Sequence, residues 1–193
     1  NANEDAGAVS VPGWATSISA GPVDEAGQAL TFLVTGNTNP SLFSVAPSVD
    51  PLTGNLTYTP AANAFGTATI TLVLQDDGLT ANGGADTSAP QSFTITIHAV
   101  NDAPVNIVPT PLTIAKNTTF TFSDLSGNPL KPTDIDAAAG ILSVTLTASA
   151  GTLTLGSTLG LGSVAGNGSG AITMTGTLAM ASMTRWPAAT RAN

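Results

Sequence analysis

The chain has 193 residues, of which 42% are hydrophobic and only 8% are charged, and its 12 acidic and 4 basic residues give a formal net charge of −8. This composition can build a packed core, but so few basic residues exclude the positive surface that nucleic-acid binding needs. The chain has no cysteine, which excludes disulfides and thiolate metal sites. No apolar run approaches the roughly 18 residues of a membrane-spanning helix, so no membrane insertion is predicted.

In the first half of the chain, apolar and hydroxyl residues alternate strictly, as in β-strands with one buried face. The alternation predicts strands over 30–35, 56–59, 68–75 and 93–98. Threonine suits the outer face because its branched β-carbon favours extended backbone and its hydroxyl contacts water. The sequences Pro51-Leu-Thr-Gly54 and Asp77-Gly78 mark turns between these strands.

The same alternation returns after residue 105 and predicts strands over 119–122, 142–147, 152–155 and 172–175. Turns are predicted at Gly127-Asn-Pro129 and Gly166-Asn-Gly168. No stretch has a sustained helical period of about 3.6 residues. Many short strands separated by Gly and Pro turns predict an all-β fold, which we interpret as two tandem Greek-key β-sandwich modules.

The boundary between the modules is predicted at Val100-Asn-Asp-Ala-Pro-Val105. This segment follows a clear strand, and its proline cannot continue a ladder of hydrogen bonds. We therefore expect a first module at 1–100, a linker at 101–105 and a second module at 106–193. Each module then has the usual size of a domain.

The acidic residues are sparse, and most of them are grouped. The groups are Glu4-Asp5, Asp24-Glu25, Asp76-Asp77, and Asp134 with Asp136. Carboxylates grouped without bases suit a cation such as calcium, which takes about six to eight oxygen ligands. The alternative is that each pair consists of solvated turn residues.

Several segments of the first module carry a further signal. They are Asn3-Glu4-Asp5, Asp24-Glu25-Ala-Gly-Gln-Ala-Leu-Thr-Phe32, Pro51-Leu-Thr-Gly-Asn-Leu-Thr-Tyr-Thr-Pro60, Gln75-Asp-Asp-Gly78 and Val100-Asn-Asp-Ala-Pro104. Together these segments resemble the cadherin-like repeats of large bacterial adhesins and RTX-type secreted proteins, over nearly all of residues 1–105. The second module resembles such repeats more loosely, through Phe120-Thr-Phe122, Asp134-Ile-Asp136 and Gly166-Asn-Gly168.

The resemblance implies calcium ions at the junctions between modules. Its ligands between the two modules would be Glu4, Asn101, Asp102, Asp134 and Asp136. At the outer end of the first module, facing a preceding repeat, they would be Asp24, Asp76 and Asp77. The acidic tripeptide of cadherins has no equivalent in the matching stretch Ala61-Ala-Asn-Ala-Phe65, which favours one weaker ion over a cluster. The alternative is a rigid proline linker without metal.

The resemblance also implies a function. We expect a non-catalytic repeat module of a bacterial adhesin or surface protein, secreted or held at the cell surface, that acts as a calcium-stiffened spacer. Its partners would be neighbouring repeats and cell-surface glycans or proteins. The alternative is a carbohydrate-binding accessory module of a secreted enzyme, in which Trp14 would be an exposed sugar-stacking platform instead of a core residue.

No constellation of catalytic residues is recognisable in the sequence. His98 is the only histidine, it falls on the threonine face of its strand, and the chain has no Gly-x-Ser-x-Gly elbow. The Gly-rich stretch Gly151 to Gly170 lacks the lysine of a phosphate-binding loop. We therefore predict that the protein is not an enzyme.

The alternating pattern ends at about Leu178. The tail 180–193 contains both arginines and no alternation. We interpret this as a shift of reading frame near Met180, which would leave the second module incomplete at its C-terminus with an open strand edge.

Overall fold

The computed structural model describes residues 1–81, 84–108, 113, 115, 117–122, 131–137, 140–177 and 189–192. These residues form β-strands and two short 3-10 helices, Val23–Glu25 and Pro40–Leu42, so the predicted all-β class is confirmed. Contacts divide the chain into two compact units, Asn1–Val100 and Asn101–Asn193. No helix in the described ranges has the length and apolarity to cross a membrane.

The described residues of the first unit form two sheets whose strands follow a Greek-key order. Its strands are β1 (Ala2–Asn3), β2 (Val9–Val11), β3 (Leu30–Asn37), β4 (Phe43–Val49), β5 (Leu56–Pro60), β6 (Gly66–Asp76) and β7 (Gln91–His98). One sheet has the order β1-β7-β6-β3 and the other β2-β5-β4. All pairs are antiparallel except β1 with β7. Strands β3, β6 and β7 thus correspond to C, F and G of an immunoglobulin-like sandwich, and β2, β4 and β5 to B, D and E.

The core of the first unit lies between these two sheets. Its buried residues come from both sheets and from the second 3-10 helix, and are Leu42, Val49, Leu56, Tyr58, Ala68, Ile70, Leu72, Ile95 and Ile97. On β6 and β7 they occupy every second position, as the alternation predicts. Burial raises the pKa of Tyr58 above its ordinary value of 10.0.

A tight turn between β4 and β5 contacts the segment that follows β2. Gly54 has a φ of +70°, and a Cβ there would lie 2.1 Å from the carbonyl oxygen of Ala15. The Ala15 N–H donates to the Gly54 carbonyl at 2.9 Å. Asp50 begins the turn, and its carboxylate accepts a hydrogen bond from the Leu52 N–H. This bond lowers the pKa of Asp50 below its ordinary value of 3.8. Glycine is required at position 54 because the two segments approach closely and φ is positive.

The described residues of the second unit form three small sheets. Its strands are β8 (Val105–Ile107), β9 (Thr119–Phe122), β10 (Lys131–Thr133), β11 (Ile141–Thr147), β12 (Thr152–Leu155), β13 (Ser163–Ala165), β14 (Ala171–Thr177) and β15 (Ala189–Ala192). The sheet orders are β10-β8, β11-β14-β13 and β12-β15-β9. Leu153, Leu155, Ile172 and Met174 form its buried core.

Two predictions about the second unit concern residues largely outside the described ranges. The turn at 127–129 and residues 178–188 of the tail are among them. Residues 189–192 are described, and they form β15 between β9 and β12. The proposed frameshift concerns the coding DNA and stays a prediction.

We expect Ile70→Ala to destabilise the chain by about 2–5 kcal/mol, because this fully buried side chain lies in the centre of the first core. Urea unfolding measures the change. The matched control is Thr69→Ala, one position away on the exposed face, with an expected change within about 0.5 kcal/mol. Equal losses at the two positions would contradict the assignment of faces.

Candidate cation sites

The acidic residues of the first unit have no lysine or arginine partner within it. Residues 1–100 contain eight acidic residues and no lysine or arginine. His98, the single histidine, is exposed. The carboxylates therefore depend on water, on backbone N–H groups, on uncharged side-chain donors such as those that Asp86 accepts from Gln75 and Thr87, or on bound cations. They belong to Glu4, Asp5, Asp24, Glu25, Asp50, Asp76, Asp77 and Asp86.

Glu4 is the one buried polar or charged residue among those described, with only 2% of its surface exposed. It follows directly after β1, and its N–H donates to the His98 carbonyl at 2.9 Å. That bond continues the parallel pairing in which Asn3 lies opposite His98. The first and last strands of the unit thus hold Glu4 in place.

The two carboxylate oxygens of Glu4 have different surroundings. Oε1 accepts the Val100 N–H at 2.7 Å. Oε2 is buried and accepts no hydrogen bond from any described residue. Burying an ionised carboxylate costs free energy unless it is paired, and one unsatisfied oxygen adds to that cost. An oxygen-preferring cation such as calcium would satisfy Oε2, so the chemistry of this group fits the predicted metal.

Asp5 has a different role from that of its neighbour. Its Oδ1 accepts the Asn63 N–H at 3.1 Å, and its side chain is exposed. Asn63 belongs to the 61–65 stretch, where the sequence lacks the acidic tripeptide of cadherins. Asp5 therefore anchors this loop next to Glu4.

In the second unit, backbone hydrogen bonds connect the predicted ligands. Asp134 Oδ1 accepts the N–H groups of Asp136 and Ala137, at 3.0 and 2.9 Å, and this closes a turn. Asp136 Oδ2 accepts the Asp102 N–H at 2.5 Å. These three aspartates are half-buried, whereas Asn101 is exposed and donates to the Asp102 carbonyl. The structure thus links Asp102 to the Asp134–Asp136 turn.

At the outer end of the first unit, two of the predicted ligands accept backbone N–H groups. Asp77 Oδ1 accepts the Ala29 N–H and Asp76 Oδ1 accepts the Gly78 N–H, both at 2.8 Å. Asp24 is exposed in a 3-10 helix, and no hydrogen bond among the described residues connects it to these two. Asp76 thus closes a turn and Asp77 holds the segment before β3, and their role as ligands stays a prediction.

Sequence reasoning did not single out two polar features. Gln28 has a buried Oε1 without a hydrogen-bond partner among the described residues, and its amide packs against Gly78. A cleft of about 130 Å³ beside Asp76 is lined by side chains that include Ser19, Leu30 and Ser88. Neither feature has a local sequence signal, because each depends on segments that meet only in the fold.

Within the described residues, no three or more His, Cys, Asp or Glu side chains lie close enough together to hold one metal ion. Glu4 in the first unit and the linked aspartates in the second each stay predicted ligands. No family model and no curated protein matches the chain. The resemblance to cadherin-like repeats thus rests on sequence segments alone.

In EDTA, we expect the free energy of unfolding of Glu4→Gln to equal that of the parent chain or to exceed it by about 1 kcal/mol. The substitution removes a buried charge and keeps an acceptor for the Val100 N–H. Urea unfolding measures this. Asp5→Asn is the matched control, since it makes the same charge change on an exposed neighbour. A loss of about 3 kcal/mol in Glu4→Gln would contradict the account, because it would mean that the metal-free fold already compensates this carboxylate.

Proposed function

We propose that the chain is a non-catalytic extracellular repeat module of a bacterial adhesin or surface protein, in which calcium stiffens the joint between successive modules. Its immediate partners are the neighbouring repeats of the same protein, and cell-surface glycans or proteins are its targets. The observation that carries the proposal is the buried Oε2 of Glu4, which lacks a partner among the described residues.

The position of Glu4 in the fold supports this proposal. Its carboxylate is bonded to the N–H of Val100, the last residue of the first unit. Asn101 and Asp102 follow in sequence, and Asp102 is bonded to Asp136. Each unit therefore has an acidic side chain bonded to its own backbone close, in sequence, to the boundary between Val100 and Asn101.

The donor set of this proposed joint consists of hard oxygen ligands. Glu4, Asp102, Asp134 and Asp136 supply carboxylates, and Asn101 supplies an amide oxygen. Such oxygens suit calcium, which tolerates irregular geometry, better than zinc, which prefers nitrogen and sulfur. When bound, calcium would offset the negative charge of these carboxylates. Ligands contributed by two modules would also restrict rotation of the linker.

Thermal unfolding in EDTA and across calcium concentrations tests the proposal. We expect calcium at about 100 times its Kd to raise Tm by roughly 5–10 °C, because a ligand that binds only the folded state stabilises it. Magnesium is the control ion, and it should have a smaller effect because it demands a stricter octahedral geometry.

Two variants locate the effect. The double variant Asp134→Asn/Asp136→Asn and the single variant Glu4→Gln should both lose the calcium-dependent rise in Tm. Asp50→Asn, an exposed acid outside the predicted ligand set, should keep it. If Tm stays constant at every calcium concentration, the calcium-stiffened joint is wrong, and an ordinary proline linker remains.

A carbohydrate-binding accessory module is the second candidate function, and Trp14 is the observation that favours it. Trp14 is 37% exposed, with its ring centroid 4.4 Å from that of Phe93. The exposed part of the ring could stack on a sugar. We expect no saturable change in tryptophan fluorescence with soluble polysaccharide fragments. A saturable change that Trp14→Ala removes would favour the second function.

A further inference from the structure

The outer edge of β3 lacks most of the features that usually protect a strand edge. β3 is the last strand of the sheet β1-β7-β6-β3 and pairs only with β6. Its eight residues include no charged residue and no proline. Leu33 and Val34 are 40% and 41% exposed. No backbone hydrogen bond joins its outer edge to another segment of the described chain. Such an edge is a template for another strand.

The other edges of the first unit are less suited to pairing. β1 has two residues, and β2 has three and is followed by Pro12. β4 contains Pro47 and two register shifts. β1 pairs only with the C-terminal end of β7, so the outer edge of Gln91–Thr96 is also open. The exposed side chains of this part of β7 are polar, and its isoleucine is buried. Short length, proline, irregularity and polarity are the usual protections of an edge.

The regular part of β3 is self-complementary. A bulge between Val34 and Gly36 limits the regular pairing to Leu30–Val34. Two such segments can pair antiparallel about a two-fold axis at Phe32. Leu30 of one copy then lies opposite Val34 of the other, and Thr31 lies opposite Leu33. Every cross-strand pair is uncharged, and the exposed aliphatic side chains are covered.

Electrostatics favours this edge over other surfaces for contact between two copies. The first unit has eight acidic residues and no lysine or arginine, so two copies repel each other over most of their surfaces. Asp76 pairs with Leu30, and Asp77 accepts the N–H of Ala29, so both acids lie at the Leu30 end of β3. In an antiparallel pair these ends are on opposite sides of the two-fold axis. The acids of the two copies therefore do not face one another.

We propose that β3 is a homotypic docking strand, through which two copies of this chain join their four-stranded sheets into one continuous sheet. The two-fold symmetry makes the contact closed and limits it to dimers. Five paired residues form a small interface, so each contact is weak. The pairing does not depend on calcium. The expected effect of this pairing on adhesion rests on the proposed function. Repeats displayed together on a surface would make many weak contacts at once, and their combined strength would exceed that of one contact.

Sedimentation equilibrium of the full chain in EDTA tests the pairing, from about 10 µM to about 1 mM, where weak contacts are populated. We expect a reversible monomer–dimer equilibrium that strengthens with salt, because salt screens the repulsion between acidic copies. Backbone amide exchange over Leu30–Val34 should slow as concentration rises. A chain that stays monomeric over this whole range would overturn the proposal, whatever the calcium experiment gives.

Substitutions assign the dimer to β3. Leu33→Lys and Thr31→Lys place a like charge in the centre of the contact and should raise the dimer Kd at least tenfold. Thr94→Lys makes the same charge change on the free part of β7 and should leave the dimer Kd unchanged. Circular dichroism and Tm confirm that each variant is folded. Dimers that persist in both β3 variants, or that Thr94→Lys abolishes, would place the contact elsewhere and overturn the proposal.

Discussion

The two-residue alternation of apolar and hydroxyl side chains is the constraint on which the first unit depends. With no lysine or arginine in residues 1–100, burial of one sheet face against the other must stabilise the fold. Ile70 illustrates the requirement, since it lies between Asn37 of β3 and Phe93 of β7 and is fully buried. A slip of one residue would bring threonines into the core and expose isoleucines. The same register places the hydroxyl side chains together on the opposite face of the sheet. For example, Thr71 Oγ1 lies 2.8 Å from Ser92 Oγ.

The parts of the fold that follow this period could be predicted from the sequence. The alternation over 68–75 and 93–98 corresponds to β6, Gly66–Asp76, and β7, Gln91–His98. β4 was not predicted, because Pro47 and two register shifts interrupt its period. β1 and β2 have too few residues to show a period at all. The order of strands in each sheet depends on contacts between distant segments, which no local pattern encodes.

The candidate site was predictable as a set of residues but not as a set of roles. In sequence, Glu4-Asp5 and Asp76-Asp77 are equivalent acidic pairs. In the fold, Asp5, Asp76 and Asp77 accept backbone N–H groups that close loops and turns. Glu4 differs because its backbone continues the pairing of β1 with β7, and its buried carboxylate accepts the N–H of Val100, 96 residues away in sequence. Which carboxylate is buried with an unsatisfied oxygen is thus a property of tertiary structure.

The parallel pairing of β1 with β7 also determines how the first unit resists being pulled. The chain enters the unit through β1 and leaves it through β7, and these strands run side by side in the same direction. Tension on the two ends therefore slides one strand along the other. The hydrogen bonds between them, including that from Glu4 to His98, are loaded together instead of opening one by one from an end. Resistance to force is a matter of unfolding rate, so this short pair of strands acts as a mechanical clamp for the core behind it.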